Sequence, residues 1–476
     1  MKGCGKRYTA ILCILALCVA ALAGCGGAGG EEERIQITIG MWPDESLAKD
    51  VALFMQWKEA FEADYPQYEI VGQGYTYNPD TFLAKATSKT LPVIFQTYFT
   101  EPQKLIANGF IRDITDQLTE LGWYDKMDET MRETVSADGK VYGVPRDGYG
   151  LGLFLNLAML YDVGVIDKAA DGTYILYDES GKPLYPTTFD EIYEVSQLIV
   201  EGFDGAYGMV ILSADKNGGW QFANMAWNFG CEALQVQNSD GTWSANLNDP
   251  GAVAALEWIQ KMRQEELISP DTSLSYADWY QKIGSGQAAM AFAGSDAITL
   301  PVTNFNFNKD DIAFVPMPTG DGQSHDSLFG GTPFVFAENA TDEQVKGALL
   351  FLKYMGRSPE TDETAKEAMR SGYELAQAKG MPILPDIRPW VNEDFKEMSG
   401  AMEAEFVNVN LAYYKDFYDT IAERKKGEEP YYCQDMYALL DNALQAVLSD
   451  PYTANAESLL ITANNQFQSN FMTKVK

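Results

Sequence analysis

The body of the chain opens with a run of period two, IQITIGM at residues 35–41, and then changes to a period of 3.6. Ile35, Ile37, Ile39 and Met41 alternate as in a half-buried strand. Leu47, Val51, Phe54 and Phe61 fall on one face of a helix that Pro66 ends. The succession recurs. LPVIFQTYF (91–99) reads as a buried strand, residues 101–108 as a short helix and GLGLFLN (150–156) as another strand. Several helix starts are chemically marked. Thr188 with Glu191, and Thr341 with Gln344, have the spacing of capping boxes, in which each side chain satisfies the other residue's orphan N–H. Asp249-Pro250 sets an N-cap before a proline at the first helical position. Beyond Thr341 an apolar stripe runs through Val345, Ala348, Leu349, Leu352 and Met355. QAAMAFAG (287–294) and DIAFVPMP (311–318) read as strands, and residues 169–186 hold a hairpin turn at Glu179-Ser180-Gly181. From about Asp342 onward the pattern is mainly helical. Strands alternating with helices specify α/β layers.

Residues 1–33 follow a different logic. Lys2, Lys6 and Arg7 make a cationic start. The apolar run Ile11 to Ala23 falls short of the roughly 20 residues that a bilayer-spanning helix needs. This is the build of a secretory signal peptide. The run ends in Leu22-Ala23-Gly24-Cys25, which resembles the bacterial lipobox. That resemblance implies removal of residues 1–24 and lipid on Cys25. More than one acyl chain anchors a protein stably, and residues 25–33 would form a tether reaching roughly 25–30 Å. The expected location is the extracellular face of the cell membrane. No other apolar stretch approaches spanning length, and the remaining chain is long enough for two lobes with separate cores.

The formal charge is −33. An acidic surface repels nucleic acid and anionic lipid, so neither is an expected partner. Solubility outside the cell accounts for the charge without a ligand. Cys231 and Cys433 remain once the signal and Cys25 are set aside. They could pair, but nothing in the sequence brings them within bridging reach, and two free thiols are the preferred reading. His325 is the only histidine. That excludes histidine-rich metal sites and disfavours Ser-His-Asp or Cys-His chemistry. It sits in the turn-rich GDGQSHDSLFGG and reads as a loop residue. No cofactor or metal is called for, and no catalytic residue is assigned.

Several blocks then occur in a telling order: ITIGMW, LPVIFQTYF with ANGFIRDIT, VYGVPRDGYGLGLFLN, TTFDE, GSGQAAMAFAG, VPMPTGDG and KGALLFLKYM. Together, over residues 35–360, they resemble the extracellular solute-binding proteins of bacterial ABC transporters, in particular the carbohydrate-binding family that includes maltodextrin-binding proteins. The last hundred residues match only loosely. Two positions depart from the pattern. Val93 stands where an aspartate is usual, and Asp296 stands where a tryptophan often stacks on sugar. The resemblance implies a two-lobed clamshell of the periplasmic-binding-protein type II kind, joined by a hinge. One lobe would comprise residues 34–147 and 310–355, the other 148–309 and 356–476. It also implies a ligand cleft at the strand ends, delivery of the solute to the transmembrane subunits of a permease, and action as a monomer.

Sugars make two demands. Their C–H faces lie well on aromatic rings, and their hydroxyls need hydrogen-bond partners when buried. Aromatic and acidic residues in loops after strands are therefore the candidates. Trp42, Asp44 and Glu45 follow the first strand; the acids read equally as a pair favoured by a helix N-terminus. Tyr75 and Tyr77 lie beside a glycine-containing turn, and Tyr98 ends the 91–99 strand. Asp147 and Tyr149 lie at the expected hinge, where Arg146-Asp147 could instead be a structural pair. In NGGWQFANMAWNFG, Trp220 is the preferred stacking platform and Trp227 a second candidate. Asp296 follows the AMAFAG strand, and Arg388 and Trp390 lie in a loop that could close over the cleft. Two rivals remain open: the same fold binding a non-sugar solute such as a polyamine, and a surface glycosidase. The acid pairs of a chain with 68 Asp and Glu carry almost no weight for the latter.

Overall fold

The computed structural model describes residues 34–475; the signal segment, Cys25 and the tether lie outside them. Nine strands form one continuous sheet: β1 Ile35–Ile39, β2 Tyr68–Gly72, β3 Ile94–Gln96, β4 Gly143–Asn156, β5 Tyr207–Val210, β6 Ala288–Gly294, β7 Ile312–Val315, β8 Ser327–Phe336 and β9 Lys425–Gly427. Their order is β2-β1-β3-β8-β4-β6-β5, with β7 also on β4 and β9 also on β8. β1 pairs in parallel with β2 and β3, and β5 in parallel with β6. The long strand β4 serves both halves. Gly143 to Gly150 pair with β8, whereas Leu151 to Asn156 pair with β6 and β7.

Two main apolar cores lie on either side of that division. One gathers Ile37, Ile39, Phe61, Val144 and Phe334; the other gathers Leu153, Phe154, Met290, Phe292 and Phe314. A small satellite around Tyr77, Phe82 and Phe95 extends the first lobe. The boundaries differ from those the sequence suggests. β7 pairs with the second half of β4, so residues from 310 to about 328 pack in lobe two. Residues from 356 to about 406 pack in lobe one, because Met369, Tyr373, Phe395, Met402 and Phe406 turn apolar faces onto its core. The chain therefore crosses at β4, at β8 and again between Phe406 and Tyr413.

The local chemistry follows the sequence closely at the marked helix starts. Helices α1 (Ala48–Asp64), α2 (Phe189–Gly202), α3 (Asn217–Asn228), α4 (Pro250–Gln264), α5 (Asp342–Tyr354), α6 (Glu363–Ala378), α7 (Glu393–Phe406), α8 (Cys433–Ser449) and α9 (Ala456–Asn470) flank the sheet. Both reciprocal capping boxes form at α2 and α5, and the Asp249 carboxylate caps α4 from before Pro250. α3 is capped differently. Its N-cap, Lys216, has no side-chain acceptor and is left-handed at φ 71, as is Asp215 at φ 56. The carboxylate of Asp441, on α8, supplies the acceptor, receiving N–H bonds from Lys216 at 2.6 Å and Gly219 at 2.7 Å. α8 comes this close because Gly219 has no side chain; a Cβ there would overlap the Tyr437 backbone.

Two aromatic candidates prove to be packing residues. Trp227 is 1% exposed and its Nε1 donates to Glu429 Oε1 at 3.3 Å. It lies on a helix buried throughout, and the indole packs in the lobe-two core with its N–H on a buried carboxylate. Trp390 is 4% exposed and packs edge-on to Trp123 at 5.7 Å in the core of lobe one. Cys231 and Cys433 are free and buried. Truncating a buried indole removes both transfer energy and contacts, at about 3–5 kcal/mol. Trp227→Ala is therefore expected to lower unfolding free energy by that amount in urea titration. A loss under about 1 kcal/mol would show that the ring is not a core residue.

Candidate functional site

The C-terminal ends of β1, β3, β5 and β6 all open toward the gap between the lobes, where open α/β sheets place their ligands. Two chambers occupy the gap. The first, about 780 Å³, is lined by Tyr98, Tyr149, Trp220, Tyr276, Asp296 and Glu428, with Asp80, Lys216 and Asp441 near its mouth. The second, about 520 Å³, is lined by Gln96, Arg146, Asp147, Asp296, Arg357 and Arg388 among others. Asp296 lines both, so its carboxyl marks where they meet.

Aromatic rings dominate the first chamber. Tyr149 and Trp220 meet edge to face at 6.0 Å, and Tyr276 packs at 6.2 Å on the other side of Trp220. Trp220 reaches this wall because the Asp215-Lys216 turn, held by Asp441, starts α3 at the chamber edge. Its ring is only 9% exposed and also belongs to the core of lobe two. Nε1 of Trp220 is buried without a hydrogen-bond partner. Tyr98 stands opposite, on lobe one, 41% exposed. Two contacts span the lobes at the rim. Lys216 Nζ pairs with Asp80 Oδ1 at 2.9 Å, and Gln434 Nε2 donates to Thr100 Oγ1 at 3.2 Å.

Three carboxyls of the first chamber, Asp296, Glu428 and Asp441, are pushed toward neutrality. Desolvation, helped by the Asp147 charge and opposed by Arg146, raises Asp296 to about 7. Its side chain remains open to water in the cleft, so the shift belongs to a deep wet cavity, not a sealed core. Glu428 rises to about 8, again by burial, although Tyr437 Oη donates to it at 3.0 Å. Asp441 rises to about 6 for the same first cause, offset by the helix N–H bonds. Near neutral pH the chamber thus offers carboxylic acids that donate as well as carboxylates that accept.

The second chamber holds fixed charges. Arg146 Nε binds Asp147 Oδ2 at 2.6 Å, while Asp147 Oδ1 is buried without a partner. Arg388 is held by Asp386 at 3.0 Å, by Glu403 at 3.1 Å and by donating to the Tyr373 hydroxyl at 2.7 Å.

Of the residues singled out from the sequence, Tyr98, Tyr149, Trp220 and Asp296 meet in the first chamber, and Asp147, Asp296 and Arg388 in the second. The others lie elsewhere. Trp42 covers Gly72 and packs on Phe54 at 5.4 Å, so its ring serves the lobe-one surface. Asp44 Oδ1 accepts from Ser46 N at 2.9 Å, a local turn, and Glu45 is exposed; neither lines a chamber. Tyr75 packs edge-on to Phe95 at 5.5 Å, and the Tyr77 hydroxyl donates to the buried Glu101. Both tyrosines are held by the satellite core. Tyr276, Arg357 and Glu428 escaped the sequence reading. Arg357 did carry a signal, a lone cation just after the glycine that ends the apolar helix α5. Glu428 carried none, since it lies in the segment with the loosest resemblance.

Residues 56–378 match the family described as bacterial extracellular solute-binding protein. Solved structures share the fold across nearly the whole chain. A solute-binding protein of an ABC transporter from Thermotoga lettingae, bound with alpha-D-tagatose, has a TM-score of 0.66 at 14% identity, covering 92% of this chain and 98% of its own. Maltose-bound MalE3 of T. maritima has 0.64 at 16%, covering 92% and 99%. UgpB of Mycobacterium tuberculosis, in complex with glycerophosphocholine, has 0.66 at 15%, covering 92% and 98%. A search of curated proteins found no match.

The raised Asp296 carboxyl has a measurable consequence. An unfolded aspartate ionises near 3.9 and this one near 7 when folded. Between those values the folded state binds the extra proton, so this group makes stability fall as pH rises through the window. Asp296→Asn removes that slope. The wild-type minus variant stability, from urea titrations at several pH values, is expected to decline from about pH 4 to 7 and then level off. A difference that does not vary with pH would show that Asp296 ionises normally.

Proposed function

Because the chain belongs to the bacterial extracellular solute-binding proteins, we propose that it captures a sugar or oligosaccharide between its lobes and delivers it to the membrane-spanning subunits of an ABC importer. The observation that carries this reading is the first chamber itself. Four rings from two lobes, Tyr98, Tyr149, Trp220 and Tyr276, share one cavity with the carboxyl groups of Asp296 and Glu428. Flat rings take the C–H faces of a pyranose, and the carboxyls exchange hydrogen bonds with its hydroxyls. A volume of about 780 Å³ suits a ligand of more than one ring.

Capture follows from population shift. A ligand that touches Tyr98 on one lobe and Trp220 on the other binds the closed form better and moves the equilibrium toward it. The Lys216–Asp80 pair at the rim, worth only about 0–1 kcal/mol at such an exposed place, adds little by itself. Closure must therefore come from the ligand. Lipid on Cys25 would hold the protein at the outer face of the membrane, near the permease that reads the closed form. The family is one of binding proteins, and no catalytic step is assigned.

A thermal-shift panel of neutral mono- and oligosaccharides tests the reading. A ligand at 100 times its Kd stabilises by about 2.7 kcal/mol. Tyr98→Ala is expected to weaken the best saccharide about tenfold, roughly 1.4 kcal/mol, without moving the unliganded melting temperature, since the ring is 41% exposed. Trp220→Ala is expected to lower both, because its ring is shared with the core. A shift with spermidine and none with any saccharide would transfer the site to polyamines.

A further inference from the structure

Arg357 is the odd cation of this molecule. It follows Gly356, whose φ of +67 ends α5, and its own N–H donates to Leu352 O at 2.8 Å, so the backbone that carries it is fixed. Its side chain lines the second chamber. Among the described residues it makes no ion pair, no side-chain hydrogen bond and no cation–π contact. Every other described arginine holds a carboxylate or a backbone carbonyl. The contrast is sharpest with its neighbours. Arg146 is closed by Asp147, and Arg388 by Asp386 and Glu403.

Arg357 is half-buried and unpaired, and a guanidinium partly withdrawn from bulk water costs free energy. Burial accordingly lowers the Arg357 pKa, with Asp147 and Asp386 acting the other way. The chain is rich in acids, with 68 Asp and Glu, yet among the described residues none pairs with it. The fork is left open toward the cavity. Beside it, Asp147 Oδ1 is a buried acceptor with no donor. An unpaired planar donor lining the chamber is complementary to a carboxylate. A phosphate monoester fits less well. It would bring nearly two negative charges to one open guanidinium in a chamber that Asp147, Asp296 and Asp386 also line. A carboxylate matches a single fork in charge and in geometry.

Resting on the reading of the cleft as a saccharide site, we infer that the solute is an acidic saccharide whose uronate carboxylate sits on Arg357 in the second chamber while its neighbouring rings lie in the aromatic chamber. Asp296, lining both, would stand at the passage between the charged and the neutral parts of the ligand.

The test pairs charge with its removal. Oligomers of galacturonate, glucuronate and mannuronate are titrated calorimetrically into the full-length protein, each beside its methyl ester, which keeps the rings and loses the charge. At least one acid is expected to bind tenfold or more tightly than its ester. Arg357→Gln should abolish that preference and leave ester binding within twofold, which also reports that the variant is folded; Arg357→Lys should retain part of it. Acids and esters binding alike, or a variant that weakens both equally, would overturn the inference and leave the saccharide reading in place. Arg357-dependent binding of glycerophosphocholine or a sugar phosphate, with no uronate bound, would replace the carboxylate by a phosphate and equally overturn it. Failure of every saccharide, acidic or neutral, would remove both readings.

Discussion

The lobes are joined by a short antiparallel ladder in which Gly150, Tyr149 and Gly148 of β4 face Phe329, Gly330 and Gly331 of β8. Everything in the cleft takes its position from this crossing. The ladder is built largely from glycine because there is no room beside it. A Cβ on Gly330 would run into the Tyr149 ring, and one on Gly331 would meet Phe99 and the Asp147 carbonyl. Asp147 lies where the register shifts, two residues before Tyr149. One lines the charged chamber, the other the aromatic chamber. The shift falls between Gly331 and Pro333, an irregularity of the kind that re-aims side chains near functional sites.

Charge in the cleft is organised differently from charge on the surface. The surface is acidic and solvated, and its ion pairs are individually weak. In the cleft, acids and arginines are drawn from distant parts of the chain. Burial raises the carboxyls of Asp296, Glu428 and Asp441, while Arg146 and Arg388 are neutralised by neighbours. The division of labour between the chambers follows. One presents rings and near-neutral acids, the other fixed charge with a single open fork. Asp441 has a double part, since the same carboxylate that lines the first chamber also caps α3 and sets the angle of Trp220.

Much of the framework was legible before any coordinates. The strand readings at 35–41, 287–294 and 311–318 contain β1, β6 and β7, and the capping boxes at Thr188 and Thr341 form as spaced. These are local effects, decided by residues within a few positions of one another. The site was less legible. Tyr98, Tyr149, Trp220 and Asp296 follow from the rule that ligands meet strand ends, yet Trp42, Tyr75 and Tyr77 satisfy the same rule and pack elsewhere. An aromatic ring after a strand has the same composition whether it faces a cleft or folds back on its own sheet.

The sequence by itself determined the α/β layering, the kind of family to which the chain belongs and the strand ends from which a site could be built, because periodicity, caps and turns are short-range. Only the tertiary structure decided which segments share a lobe, that Trp227 and Trp390 are core, and that among the described arginines Arg357 alone keeps an unpaired guanidinium. Those outcomes depend on which surfaces meet across hundreds of residues. Met369 and Phe406 choose lobe one, and Asp441 reaches α3, only once the sheet has brought them together. Whether a side chain finds a partner is a property of that packing and not of its neighbours in the chain.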